Sequence, residues 1–175
     1  VVDPQLRVRG IEALRVAEST AITPLMFEHR LLARARSDKQ RIVLPEGNDD
    51  RVLLAAERLL QRDVCDLVIL DQDGSASERA ARLGISLDGA EIIDPRASEL
   101  RAGFAEHLFE LRRDRGMSLD MAHDAVGSVS MFGTMLVATG RVDGMVSGAA
   151  HTTADTIRPA LQVIRTTPGV SVVSS

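Results

Sequence analysis

The chain has 175 residues, 45% of them apolar and 26% charged, with a formal net charge of −4. That length supports one well-buried domain and not two full-sized ones, and the mild negative charge argues against nucleic-acid binding and a polybasic membrane contact. A single cysteine, Cys65, excludes an intrachain disulfide and suits the cytoplasm, the absence of Trp and Tyr removes residues that stack on bases, and no apolar run reaches membrane-spanning length.

Residues 1–22 mix charged and apolar side chains without a clear period, although Ile11, Leu14 and Ala17 suit one short helix. This stretch reads as a linker or the remnant of a preceding region. Thr23-Pro24 predicts a helix start, with a capping hydroxyl and proline at the first helical position. Leu25, Phe27, Leu31, Leu32 and Ala35 follow as an apolar stripe. Arg41–Pro45 predicts a strand, Glu46–Asp50 a loop, and Arg51–Gln61 a helix under an acidic cap. Asp66–Leu70 is the second strand. Ser75 and Glu78 match a capping box, and Gly84 is placed to end that helix. Glu91–Asp94 is a third strand. Helices are expected from about Ser98 to Arg113, from Ser118 through Val126, and from Val129 to Thr139. Val142–Val146 reads as a fourth, buried strand. A helix capped by Thr152 or Thr153 follows, with Ile157, Leu161 and Ile164 on one face. The order β-α-β-α-β-α-α-α-β-α implies a parallel α/β sheet with helices on both faces, a three-layer αβα architecture whose ligands gather at the carboxyl ends of the strands.

The most informative stretch is Asp143–Pro159. A short strand runs into Ser147-Gly-Ala-Ala150, small enough for a ligand to approach the backbone, and then into a helix N-terminus. Such a place suits an anion. Arg158 falls within the first two turns of that helix, where a guanidinium grips a phosphate or carboxylate bidentately. An ordinary strand-to-helix connection with a capping threonine fits the same residues. His29, His107, His123 and His151 lack metal-ligand spacing, so no metal is expected.

Five motifs carry a resemblance to a known family: Arg41-Ile-Val-Leu-Pro-Glu-Gly47, Asp49-Asp-Arg51, Phe109-Glu-Leu-Arg-Arg113, the full run Val142–Pro159, and Gln162-Val-Ile-Arg-Thr-Thr-Pro-Gly169. From about Thr23 onward the chain resembles the phosphate acetyltransferase (phosphotransacetylase) family, over about the front half of its catalytic module. The resemblance implies transfer of an acetyl group between coenzyme A and inorganic phosphate, through thiolate attack on acetyl phosphate. It implies the front half of a two-domain fold of the isocitrate/isopropylmalate dehydrogenase type. Residues 23–175 would then be the N-terminal portion of a truncated phosphate acetyl/butyryl transferase domain.

By resemblance, Arg158 faces acetyl phosphate as the catalytic arginine, and Arg112 is a second arginine near the substrate. Ser147, His151, Thr152 and Thr153 line the phosphate end, and Arg51 meets the 3′-phosphate of coenzyme A. Ordinary roles compete. Arg112 complements a helix dipole, Arg51 pairs with Asp49 or Asp50, and His151 is a hydrogen-bonded loop residue. Coenzyme A and acetyl-CoA would be substrates, with no tightly bound cofactor and with small molecules and a homo-oligomer as partners. The family's proposed base belongs to a later part of its sequence, so this chain alone is expected to be inactive. The alternatives are a phosphate butyryltransferase-like acyltransferase and a non-catalytic acetyl-CoA- or phosphate-sensing domain. The start without methionine and the β-branched run at Val170–Ser175 point to a piece of something longer, with an exposed apolar face and self-association as consequences.

Overall fold

The computed structural model describes residues 23–170, and its first element, helix α1 (Pro24–Ser37), begins where the Thr-Pro pair predicts. Thr23 Oγ1 accepts from the Met26 N–H at 3.2 Å. The short helix expected near Ile11, the linker assignment for residues 1–22 and the strand expected through residues 171–175 lie outside the described residues. The chain divides into two compact units, residues 1–34 and 35–175, and the second holds the sheet and every candidate site residue.

Strands β1 (Gln40–Leu44), β2 (Cys65–Leu70), β3 (Glu91–Ile93) and β4 (Gly144–Met145) form one parallel sheet in the order β3-β2-β1-β4. Ile42 lies opposite Leu67 and Gly144, and Val43 lies opposite Val68 and Met145. Successive side chains alternate between faces, so Val43, Val68 and Leu70 enter one core while Leu44, Leu67 and Ile69 enter the other. The first core is completed by Phe104 and Leu108 of α4 (Leu100–Arg112), Ala122 of α5 (Leu119–Ala125), Phe132 and Met135 of α6 (Val129–Ala138) and Val163 of α7 (Thr153–Val163). The second is completed by Leu53 and Ala56 of α2 (Asp50–Arg62) and Ala76 of α3 (Ala76–Leu83). Helices on both faces explain why the strands read as near-continuous apolar runs. Helix α6 is apolar all round because every residue from Val129 to Leu136 is buried. Phe104 and Phe132 meet edge to face there, with centroids 5.1 Å apart.

Three local expectations need correction. The fourth strand spans Gly144–Met145 and not 142–146, because it lies at the sheet's edge and pairs with β1 alone. Hydrogen bonds extend that pairing a little, from the Asp143 N–H to Arg41 O at 2.8 Å and from the Val146 N–H to Val43 O at 3.1 Å. Ser75 makes no side-chain cap. Asp71, 6% exposed at the end of β2, accepts from the Ser75 and Ala76 N–H groups instead, each at 3.1 Å. A carboxylate is the stronger acceptor at a helix N-terminus, and the Ser75 hydroxyl turns to donate to Asp73 at 2.6 Å. Helix α4 stops at Arg112, and a 3₁₀ turn, Arg113–Arg115, closes on Gly116.

On the α2 face, β1 is flanked by open space. An apolar groove of about 550 Å³ runs there, walled by Ile42, Leu44, Val52, Leu59 and Val146. Cys65 borders it half-buried, and burial pushes its thiol pKa upward.

The turn out of β1 depends on close backbone approach. The Gly47 N–H donates to Leu70 O at 3.1 Å, and a Cβ at position 47 would lie 2.6 Å from that oxygen and 2.8 Å from Ile69 Cγ2. Both neighbours are buried, so neither yields cheaply. Gly47→Ala is expected to lower the unfolding free energy by roughly 1–3 kcal/mol in urea titration, with the m-value unchanged.

Candidate active site

The carboxyl ends of β1 and β4 are joined by one buried charge. Pro45 ends the strand, and the next residue, Glu46, is 1% exposed. Its carboxylate accepts from four consecutive backbone N–H groups of the β4–α7 loop. Oε2 accepts from Gly148 at 3.0 Å and Ala149 at 2.9 Å, and Oε1 accepts from Ala150 and His151, both at 2.8 Å. Gly148, at φ 111°, supplies the left-handed conformation that curls these donors toward one centre. The small residues and helix-entry position of the loop predict a ligand anion, and the structure places a carboxylate of the chain there instead. The anion is the chain's own, so the loop N–H groups are not free for a ligand phosphate.

His151 joins this centre through its side chain. Its Nδ1 lies 2.9 Å from Glu46 Oε1. An ionised carboxylate only accepts, so Nδ1 carries the hydrogen and Nε2 is left as the outward ring nitrogen. Burial alone would raise the Glu46 pKa. The N–H groups of Ala150 and Ala149, the imidazole and the His151 N–H outweigh it and hold the carboxyl at about 2.

Arg51 ties the same loop from the other side. Its Nε and one Nη grip Asp49 at 3.0 and 2.7 Å, and that Nη also donates to Ala149 O at 2.5 Å. Asp49 is at once the N-cap of α2, accepting from the Arg51 N–H at 2.9 Å. The Arg51 guanidinium holds the Asp49 carboxyl at about 2. The pairing with Asp49 that the sequence allows is therefore present, and the contact with Ala149 is additional.

The structure divides the residues singled out in the sequence among three cavities. Arg158 borders two of them. One, of about 660 Å³, also takes in Arg112 and Thr153, and the other, of about 360 Å³, takes in His151 and Asp155. Arg51 and Ser147 instead border the apolar groove, and the buried Ser147 Oγ has no hydrogen-bond partner. Thr152 is the cap of α7. Its hydroxyl accepts from the Asp155 N–H at 3.2 Å and donates to Asp155 Oδ2 at 2.6 Å, which lowers the Asp155 pKa. Glu46 was missed in the sequence as a site residue. Its signals are membership of the Arg41–Gly47 motif and a place at the carboxyl end of a strand, where exposed loop charges are also common. Among the described residues, no cluster of three or more His, Cys, Asp and Glu could hold a metal ion, and no helix is long and apolar enough to cross a membrane.

The folded pKa of Glu46 lies below its ordinary 4.5, so its stabilisation is fully present above pH 4.5 and is lost as pH falls toward 2. The shift corresponds to at most roughly 3 kcal/mol. Glu46→Gln places an amide NH₂ against backbone donors and is expected to cost about 2–4 kcal/mol at neutral pH. Urea unfolding at several pH values checks both claims, because the gap between wild type and variant should narrow steadily below pH 4.5.

The Phosphate acetyl/butaryl transferase family profile matches residues 26–175. Phosphate acetyltransferase from Corynebacterium glutamicum is 48% identical over 150 residues, covering 86% of this chain and 46% of that protein. Phosphate acetyltransferase from Helicobacter pylori is 43% identical over 171 residues, covering 98% of this chain and 33% of that protein. Among solved structures, the EutD phosphotransacetylase from Staphylococcus aureus superposes with a TM-score of 0.74 at 40% identity, covering 82% of this chain and 44% of that one. The chain thus spans less than half the length of these relatives. With the profile matching nearly all of it, the chain belongs to the phosphate acetyl/butaryl transferase family.

Proposed function

We propose that the protein to which these residues belong transfers an acetyl group between coenzyme A and inorganic phosphate. The observation that carries this reading is Arg158, which borders both cavities at the carboxyl end of the sheet and shares one with Arg112. The relatives' names favour acetyl over butyryl as the group transferred. In the reaction, the coenzyme A thiolate attacks the carbonyl carbon of acetyl phosphate, the C–O bond to phosphate breaks, and phosphate leaves with the electron pair. Negative charge grows on the carbonyl oxygen and on the leaving group, and a fixed guanidinium at Arg158 stabilises it. Arg112 holds the substrate from the neighbouring helix, while His151, Thr152 and Thr153 shape the rim that Glu46 supports. Ser147 belongs to the same loop and contributes to its shape. Arg51, its side chain 72% exposed, meets the 3′-phosphate of coenzyme A through the guanidinium edge turned away from Asp49.

In this reading the described residues form one wall of a cleft. The thiol's base and the opposite wall come from the part of the family domain that these 175 residues do not span, so the chain by itself does not turn over. The sheet is then the front half of a two-domain fold of the isocitrate/isopropylmalate dehydrogenase type, in a cytoplasmic homo-oligomer. Coenzyme A acts as a substrate, and no cofactor stays bound.

The test is steady-state kinetics of the full-length protein, following thioester formation from acetyl phosphate and coenzyme A. Arg158→Lys keeps the charge and loses the bidentate fork, so kcat is expected to fall about 100-fold or more, with a smaller change in KM. Near-normal kcat in a folded Arg158→Lys protein would remove Arg158 from the chemistry.

A further inference from the structure

The basic run at the end of α4 holds three arginines with different fates. Arg113 pairs with Glu110 at 3.0 Å, one turn back, and so is neutralised on the helix surface. Arg112 and Arg115 turn instead to the 660 Å³ cavity that Arg158 and Thr153 border from α7. Among the described residues no carboxylate makes an ion-pair contact with Arg112, Arg115 or Arg158. Asp155 lies within electrostatic reach of Arg158, but its carboxylate is held by the Thr152 hydroxyl. The Arg112 Nε is buried and has no hydrogen-bond acceptor among the described residues.

Three guanidiniums around one concavity repel one another unless an anion joins them, and the chain elsewhere pairs its arginines readily, as Arg51, Arg79 and Arg113 show. The cavity adds the positive end of the α7 dipole at Thr153 and Ala154. Its remaining wall is Ile157, Leu161 and the amide side chain of Gln162. Arg115 is held in place by the 3₁₀ turn, which closes on Gly116 with its N–H donating to Arg113 O at 3.0 Å.

We propose that Arg115 is a third phosphate-binding residue of this site, acting with Arg112 and Arg158 on a phosphate group carried by one of the two substrates. The proposal rests on the acyl-transfer reading for the identity of those substrates, and the shared chemistry is a phosphate mono- or dianion bound by several guanidinium donors.

Calorimetric titration of the full-length protein tests it, with adenosine 3′,5′-bisphosphate as the probe for the phosphates of coenzyme A and acetyl phosphate as the probe for the acyl donor. Wild type, Arg115→Gln and Arg113→Gln are compared. Loss of one charge-assisted contact is expected to weaken one of the two probes about tenfold in Arg115→Gln, with Arg115→Lys intermediate. Arg113→Gln, outside the cavity, should bind as wild type. Weakening of the bisphosphate alone assigns Arg115 to coenzyme A, and weakening of acetyl phosphate alone assigns it to the acyl donor. Unchanged binding of both probes by Arg115→Gln overturns the proposal, as does a wild-type protein that binds neither. Wild-type protein that binds a probe through Arg115 but forms no thioester would overturn the acyl-transfer reading and leave the phosphate site standing. Arg115 is exposed, so the variant should keep its fold, and a matching thermal midpoint and circular dichroism spectrum check this.

Discussion

One buried carboxylate, that of Glu46, organises this half of the sheet. Moving Glu46 out of water would cost several kcal/mol if its charge were left unsolvated. Four backbone N–H donors and one imidazole replace the lost water, and in doing so they define the path of the β4–α7 loop. Without that charge, four consecutive donors would be left without their acceptor, and the loop has few side chains large enough to hold it by packing. The dependence runs both ways, because the charge is tolerated only while the loop keeps its shape.

Two further constraints hold this pairing. Gly47 lets the chain pass against the end of β2 and so sets where Glu46 starts. Arg51 fixes the loop's Ala149 carbonyl while clamped by the cap of its own helix. Both come from the few residues that follow β1, and while Gly47 meets Leu70 at the end of the neighbouring strand, Arg51 reaches Ala149, 98 residues away in sequence. The carboxyl ends of neighbouring parallel strands are where such distant segments meet. The result is a rigid rim from which His151 presents its second ring nitrogen and beyond which Arg158 stands on α7.

Charge is sorted sharply across this rim. Negative charge is drawn inward to Glu46 and Asp49, each satisfied by donors of the chain itself. Among the described residues, positive charge without carboxylate partners collects at Arg112, Arg115 and Arg158 around one cavity. The loop N–H groups take no part in that cluster, because Glu46 holds them.

Much of this was determined by the sequence alone. Apolar runs bounded by Pro45, Gly84 and Pro95 mark the strands and helix ends, because burial and backbone geometry act over a few residues. The caps at Thr23, Asp49, Ser118 and Thr152 form as local pattern predicts. The run Val142–Pro159 also marks the strand-to-helix loop whose N–H groups meet a carboxylate. Only the tertiary structure decided which anion occupies the loop, because Glu46 and Gly148 approach each other through strand pairing and not through any local spacing. The same holds where Asp71 displaces Ser75 as the cap of α3, since a carboxylate at a strand end outcompetes a hydroxyl. It holds again where Arg112, Arg115 and Arg158 converge, since a helix end reads as dipole compensation until a second helix is packed beside it. Periodicity and capping act within a few residues and can be read in order. Satisfaction of a buried charge is a property of the folded whole, and its partners become visible only when the strands lie side by side.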